Sequence, residues 1–219
     1  MRTVIAGGHG QIALRLERLL AARGDGVAGL IRNPAQADDL RAAGAEPVVL
    51  DLESADVDAV AAALAGADAA VFAAGAGAGS GSARKQTVDL AAAVLFADAA
   101  ERAGVRRYLV VSSMGANAQA SGGDPEFDAY LRAKGAADDD IRARTALDWT
   151  ILRPGALTDD PGTGRVLLAA TTGRGSVTRD DVAAVLAELL TTPSTAGLTL
   201  NLIEGQTPVG VAVRNVAGN

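Results

Sequence analysis

The sequence contains no cysteine and a single histidine, His9. The first absence excludes disulfides, thiolate metal sites and a cysteine nucleophile. The second leaves any serine hydrolase triad or transition-metal site resting on one imidazole, so neither chemistry is expected and no metal ligand set is assigned. Aromatic residues make up only 3% of the 219 residues, which argues against base-stacking surfaces and leaves the core to Ala, Val, Leu and Ile. The net charge of -6 supplies no broad basic field for nucleic acid or anionic lipid. Near the N-terminus no apolar segment reaches the length of a signal peptide or membrane span, so the expectation is a cytoplasmic protein with no membrane partner.

What is present suits one substantial core: 49% of the residues are hydrophobic and 21% charged. Short β-branched runs alternate with Ala/Leu-rich helical stretches. Strands are predicted at Thr3 to Ala6, Val27 to Ile31, Pro47 to Leu50, Ala70 to Phe72, Tyr108 to Val111 and Thr150 to Leu152. Helices are predicted over Gln11 to Ala22, Ala35 to Ala43, Asp56 to Leu64, Val88 to Ala103 and Phe127 to Thr145. Right-handed crossovers then give a doubly wound parallel sheet of the Rossmann-like α/β class, three layers deep. The run Ala73 to Gly81 is the one low-complexity segment. Beyond Arg153 the pattern loosens into Pro-Gly and Asp-Asp-Pro-Gly-Thr-Gly, suited to a mobile loop over a site. A helix over Val182 to Leu190 and a last strand over Leu198 to Ile203 follow. About 65 residues after the sixth strand are too few for a separate substrate domain. A single domain over 1–219 is expected, with a small loop-rich substrate region over about 154–178.

Gly7-Gly8-His9-Gly10-Gln11-Ile12-Ala13 follows the first predicted strand and opens the first helix, the setting in which a glycine fingerprint signals a dinucleotide. Gly7 allows a tight turn, Gly10 lets a pyrophosphate approach the backbone, and the free amides at the helix start receive phosphates. His9 in that turn reads as a polar residue beside the phosphates rather than a general base. Arg32 ends the second strand where an NAD enzyme usually carries an acid, and it fits a 2′-phosphate, so NADP is expected with NAD as the alternative. Asn33 follows it. Asp51 and Leu52, after the third strand, are placed near the adenine, and Ala73-Ala74-Gly75 offers a small-residue wall after the fourth. A strand-end acid or a glycine turn also forms without any ligand.

Tyr130 and Lys134 are drawn from only two tyrosines and two lysines in the chain, yet stand one helical turn apart. Chance gives about 0.02 such pairs. On one helix face the ammonium can poise the phenol for proton transfer. The bland alternative is a boundary tyrosine and a solvated lysine matched against Glu126 or Asp138. Asp138-Asp139-Asp140 reads as a solvated acidic face, because consecutive helical residues point in different directions.

Together, Gly7 to Ala13, Arg32-Asn33-Pro34, Val110-Val111-Ser112-Ser113, Tyr130-Leu131-Arg132-Ala133-Lys134 and Leu147 to Gly155 resemble the short-chain dehydrogenase/reductase superfamily. The closer similarity is to its atypical branch, with epimerase/dehydratase-like and NmrA-like relatives. The resemblance implies a Rossmann-like fold, NADP binding and oxidoreductase chemistry on a small carbonyl or quinone-like molecule, by a monomer or homodimer with no nucleic-acid partner. It assigns Ser113 to polarise the carbonyl, Tyr130 to move the proton, and Lys134 to hold the nicotinamide ribose and assist the tyrosine. Ser112 is the neighbouring candidate, and Pro154, Gly155, Ala156 and Leu157 would border the nicotinamide. Two departures stand out: Asp89 takes the place of an Asn common in relatives, and a Gly/Ser/Asp-rich insert, Ala116 to Phe127, separates Ser113 from Tyr130. A cofactor-binding sensor without catalysis and a sugar-nucleotide epimerase or dehydratase are the competing functions.

Overall fold

The computed structural model describes residues 1–77 and 81–218, so residues 78–80 of the low-complexity run lie outside the described residues. Along the chain, β1 (Arg2–Ala6) leads through the glycine turn into α1 (Gln11–Ala22). Then come β2 (Gly26–Ile31), α2 (Ala37–Ala42), β3 (Glu46–Val49), α3 (Val57–Leu64) and β4 (Ala69–Phe72). A short helix α4 (Gly81–Arg84) runs through a π-helical segment, Lys85–Ala91, into α5 (Ala92–Ala103). After β5 (Arg107–Val111), α6 (Pro125–Ala143) and β6 (Asp148–Pro154) complete the first part. The remainder holds β7 (Ala156–Thr158), β8 (Arg165–Ala169), β9 (Ser176–Thr178), α7 (Arg179–Leu190), β10 (Leu198–Glu204), β11 (Thr207–Pro208) and α8 (Val209–Ala217).

The main sheet has nine strands in the order β11-β8-β10-β6-β5-β4-β1-β2-β3. From β10 to β3 every pairing is parallel, whereas β8 joins β10 and β11 joins β8 antiparallel. The expected doubly wound α/β fold is therefore present, with an antiparallel margin added at one edge. Alternation along the strands sends side chains to two separate cores. Ile5, Val71 and Leu109 face the layer containing α1 and α7. Val4, Phe72, Tyr108 and Val110 face α3, α5 and α6, where Phe96 lies between Phe72 and Tyr108 with ring centroids 6.1 and 5.9 Å away.

Helix starts follow local chemistry. Asp56 caps α3, Asp124 caps α6 ahead of Pro125, and Thr178 caps α7, each side-chain oxygen accepting amides of the first turn. The stretch expected as loop after Arg153 instead contains three short strands. In β8, Val166 and Leu168 point into the core while Arg165 and Leu167 face outward, the period-2 pattern of a half-buried edge. β7 and β9 pair with each other in a separate two-stranded ribbon. The strand at Leu198 is also not the last element, since β11 and α8 follow it.

The insert before α6 is tied down. Asn117 N–H donates to Leu131 C=O at 3.0 Å and Arg132 donates to Ala120 C=O at 2.6 Å. A methyl group on Gly135 would come within 2.3 Å of the Ala118 nitrogen, so the insert lies against α6 only because residue 135 is glycine.

Candidate cofactor and active site

The turn after β1 is built for close backbone approach. Gly7 has φ +79°, and a methyl group there would meet Ala74 Cα at 2.6 Å. Gly8 packs on β2, where a methyl group would stand 2.8 Å from Gly29 Cα; its reason for being glycine is internal. At Gly10 a methyl group would stand 3.0 Å from the Gly7 carbonyl oxygen, and α1 then begins with no side-chain cap and no acid in its first turn. The first-turn amides of a helix have no intrahelical acceptor, so this uncapped start suits an anion.

Two cavities meet at this turn. The first, about 260 Å³, lies over the ends of β1, β2 and β3 and is lined by His9, Arg32, Asp51 and Leu52 among others. His9 Nε2 is 2.7 Å from Asp39 Oδ2, which fixes the imidazole beside the turn. Arg32 is half exposed and reaches Glu53 Oε2 at 3.4 Å. The same carboxylate accepts from Arg84 at 2.9 Å and from the Thr87 hydroxyl at 2.7 Å. Thr87 foremost, then Arg84, hold the Glu53 carboxyl below its ordinary pKa. Arg84 and Glu53 were not singled out from sequence; the signal was there only in Arg84's place near the next helix start. Asn33 has a different task, its Oδ1 accepting Ala35 N–H at 3.0 Å to cap the turn at Pro34.

The second cavity, about 570 Å³, shares Gly10, Ala73, Ala74 and Gly75 with the first and opens toward α6. Gln11 and Ile12 stand on its wall, as do Tyr130 and Lys134. Lys134 Nζ lies 6.0 Å from the centre of the Tyr130 ring, so the two residues share a helix face and a cavity. Lys134 is not solvated: it is 4% exposed and ion-paired with Asp89, Nζ to Oδ1, at 3.2 Å. It donates to the carbonyls of Ala74 at 3.3 Å and Val111 at 3.2 Å. Neither Glu126 nor Asp138 is its partner. Asp89, fully buried, also accepts Ala76 N–H at 3.3 Å.

A second ammonium also approaches the ring. Lys85 Nζ is 5.5 Å from the Tyr130 centroid, and the residue is 4% exposed. Sequence reasoning missed it because Lys85 has no motif partner at a fixed spacing; its place depends on the π-helical segment, a rare geometry that recurs at functional sites.

The serines divide differently from expectation. β5 ends at Val111, and Ser112 turns its hydroxyl to Asp138 Oδ2 at 2.9 Å while still bordering the second cavity. Ser113 is only partly buried, donates to its neighbour Met114 C=O at 3.3 Å, and does not stand on the wall of either cavity. Position therefore gives no support to Ser113 as the carbonyl-polarising group. Asp138 is buried rather than solvated, held by Arg153 at 2.7 Å, and burial foremost raises its pKa against the opposing pull of Arg153. Of the Pro154 to Leu157 stretch, Leu157 reaches the second cavity; Gly155 is glycine because a methyl group would strike Gly175 C=O at 2.2 Å, and Ala156 N–H bonds that same carbonyl.

Residues 7–193 match the model of a family described as NAD(P)H-binding. The uncharacterized sugar epimerase YhfK of Bacillus subtilis is 36% identical over 217 residues, covering 99% of this chain and 100% of that protein. A Bacillus halodurans protein provisionally named an NAD-dependent epimerase/dehydratase superposes with a TM-score of 0.91 at 36% identity, over 98% of this chain and 99% of that one. ChuY of Escherichia coli O157:H7, described as an anaerobilin reductase, gives a TM-score of 0.78 at 28% identity, covering 93% and 97% of the two chains. Among the described residues no helix is long and apolar enough to cross a membrane, and no cluster of His, Asp and Glu suits a metal ion. With an uncapped helix start between two adjoining cavities and a match running over most of its length, the chain belongs to the NAD(P)H-binding family, in the atypical, epimerase-like branch of the short-chain dehydrogenase/reductases.

Proposed function

We propose that the protein is an NADP-dependent oxidoreductase acting on a small carbonyl or quinone-like compound. The observation that carries this reading is the shared wall: Gly10 and Ala73 to Gly75 border both the cavity holding Arg32 and the cavity holding Tyr130 and Lys134. An extended dinucleotide suits such a pair, its adenosine half among Arg32, Asp51 and Leu52, its phosphates at Gln11 and Ile12, and its nicotinamide half toward Lys134, Ser112 and Leu157. A nicotinamide bound there supplies or accepts the hydride. Tyr130 gives the proton to the substrate oxygen or takes it back, and Lys134 orients the ribose while balanced by Asp89. The segment 154–178, with β7 and β9, covers the substrate. Arg32 and Arg84 together would meet a 2′-phosphate once Arg32 leaves its long contact with Glu53.

The test is steady-state oxidation of NADPH with panels of quinones and carbonyls. Tyr130→Phe should lower kcat about 10²- to 10⁴-fold, the usual worth of a positioned acid or base. Unchanged rates would remove Tyr130 from the mechanism.

A second reading has its own support. The three protons of Lys134 already face Asp89, Ala74 C=O and Val111 C=O, which is what a structural lysine in a non-catalytic cofactor sensor would show. Tight binding of both redox forms without turnover on any substrate would favour it. A sugar-nucleotide epimerase fits less well, because β8, β10, α7 and α8 are spent on the main sheet and its core, leaving little chain for a nucleotide-sugar lobe.

A further inference from the structure

The oxidoreductase reading leaves the substrate's own chemistry open, and Lys85 narrows it. This ammonium is 4% exposed, borders the second cavity, and among the described residues makes one hydrogen bond, to Gly77 C=O, besides facing the Tyr130 ring. Among the described residues no carboxylate pairs with it. Asp89, four residues on, is committed to Lys134 and Ala76 N–H. Asp124 and Glu126 border the same cavity from exposed positions at the start of α6, and the Asp124 oxygen already accepts the amides of Glu126 and Phe127. Arg179 borders it too, paired outward with Asp159 at 2.9 Å. Summed over the buried charged groups that line the cavity, Lys85 and Lys134 against Asp89 leave one positive charge.

An ammonium shut away from water without a counter-charge is costly, and the cost falls when an anion enters beside it. Ile12, Val111, Phe127 and Leu157 add apolar surface to the same cavity. We propose that Lys85 is a substrate-binding residue that holds an anionic oxygen, so that the preferred substrate is a carboxylate-bearing carbonyl or quinone-like compound with a flat apolar body. This rests on the oxidoreductase reading. The carboxylate is unchanged by the reaction: reduction of the carbonyl takes one hydride from the reduced cofactor and one proton from Tyr130. The cofactor's pyrophosphate is a rival for the charge, but the uncapped start of α1 would receive it.

Calorimetric titration of the NADPH-loaded protein with benzoate and with benzamide, equal in shape but not in charge, reads the proposal directly. Benzoate should bind at least about tenfold more tightly, a charge-assisted contact's worth. Lys85→Met should erase that preference and leave NADPH affinity within about twofold, while Lys85→Arg retains it. No preference in the native protein, including no binding of either probe, would overturn the proposal. So would a preference that survives Lys85→Met, or a large loss of NADPH affinity in that variant, which would give the charge to the cofactor. Should Lys85→Met not fold, reductive methylation of the native chain decides: with only two lysines present, benzoate but not benzamide should protect Lys85, and equal labelling would count against it. Reduction of neutral quinones with indifference to benzoate sinks this inference alone; selective benzoate binding without turnover on any substrate sinks the oxidoreductase reading alone.

Discussion

Arg107 and Lys85 are both buried cations, 8% and 4% exposed, but at opposite ends of the sheet they are treated in opposite ways. Arg107, at the start of β5, donates to Asp148 C=O and the Thr150 hydroxyl at 2.9 Å, to Leu189 C=O at 2.6 Å and to Thr195 Oγ1 at 2.9 Å. Burial lowers its pKa to about 10, leaving it cationic at neutral pH, and it ties two strands to the end of α7. Lys85, after the end of β4, has one carbonyl and an open cavity. The comparison teaches that burial of a charge does not mark function; burial without enough partners, beside a cavity, does.

That contrast can be broken by stability measurements. Arg107→Met strands several buried acceptors at about 1–3 kcal/mol each, so it should lower unfolding free energy by about 3 kcal/mol or more in denaturant titrations while sparing NADPH affinity. Lys85→Met removes an uncompensated charge and should change stability by no more than about 1 kcal/mol in either direction. Equal losses in the two variants would make Lys85 another structural cation.

Glu17 sharpens the comparison as a buried acid whose carboxyl oxygens have no hydrogen-bond partner among the described residues. It is fully buried on α1, neither carboxyl oxygen has a hydrogen bond, and burial pushes its pKa from 4.5 to about 8. The folded state therefore holds a proton that the unfolded chain has released between those values. Stability contributed by this group is complete below pH 4.5 and is lost as pH rises toward 8. The difference between the native protein and Glu17→Gln should follow that slope, by at most about 1.4 kcal/mol per pH unit. A pH-independent difference would show that Glu17 is charged or solvated.

Smaller effects are expected at the adenosine end. Arg32→Ala should weaken NADPH about tenfold more than NADH, one charge-assisted hydrogen bond's worth, and equal losses would sink the phosphate assignment. Glu53→Gln should do the reverse by a few-fold, since it frees Arg32 and removes a like charge from beside the phosphate.

The parallel sheet was legible because its strands and helices each carry their own period, and the glycine turn because its position between strand and helix is local. Tyr130 and Lys134 were legible for the same reason, being four apart on one helix. Lys85, Arg84 and Glu53 were not, nor was the pairing of Asp89 with Lys134, since these contacts join residues far apart in the chain that only the fold brings together. That Ser112 rather than Ser113 borders the second cavity was not legible, because adjacency to a strand end does not say which of two serines turns inward. β8 was hidden by the turn-rich Gly, Pro and Thr runs on either side of it, and α8 by the Gly and Pro just before it.

The central claim, that one nicotinamide dinucleotide spans the two cavities, is tested most directly by titrating the purified protein with NADPH and NADH while following nicotinamide fluorescence. The account predicts saturable binding of NADPH, tighter than NADH, with the emission changed on burial. Absence of binding by either dinucleotide would contradict it.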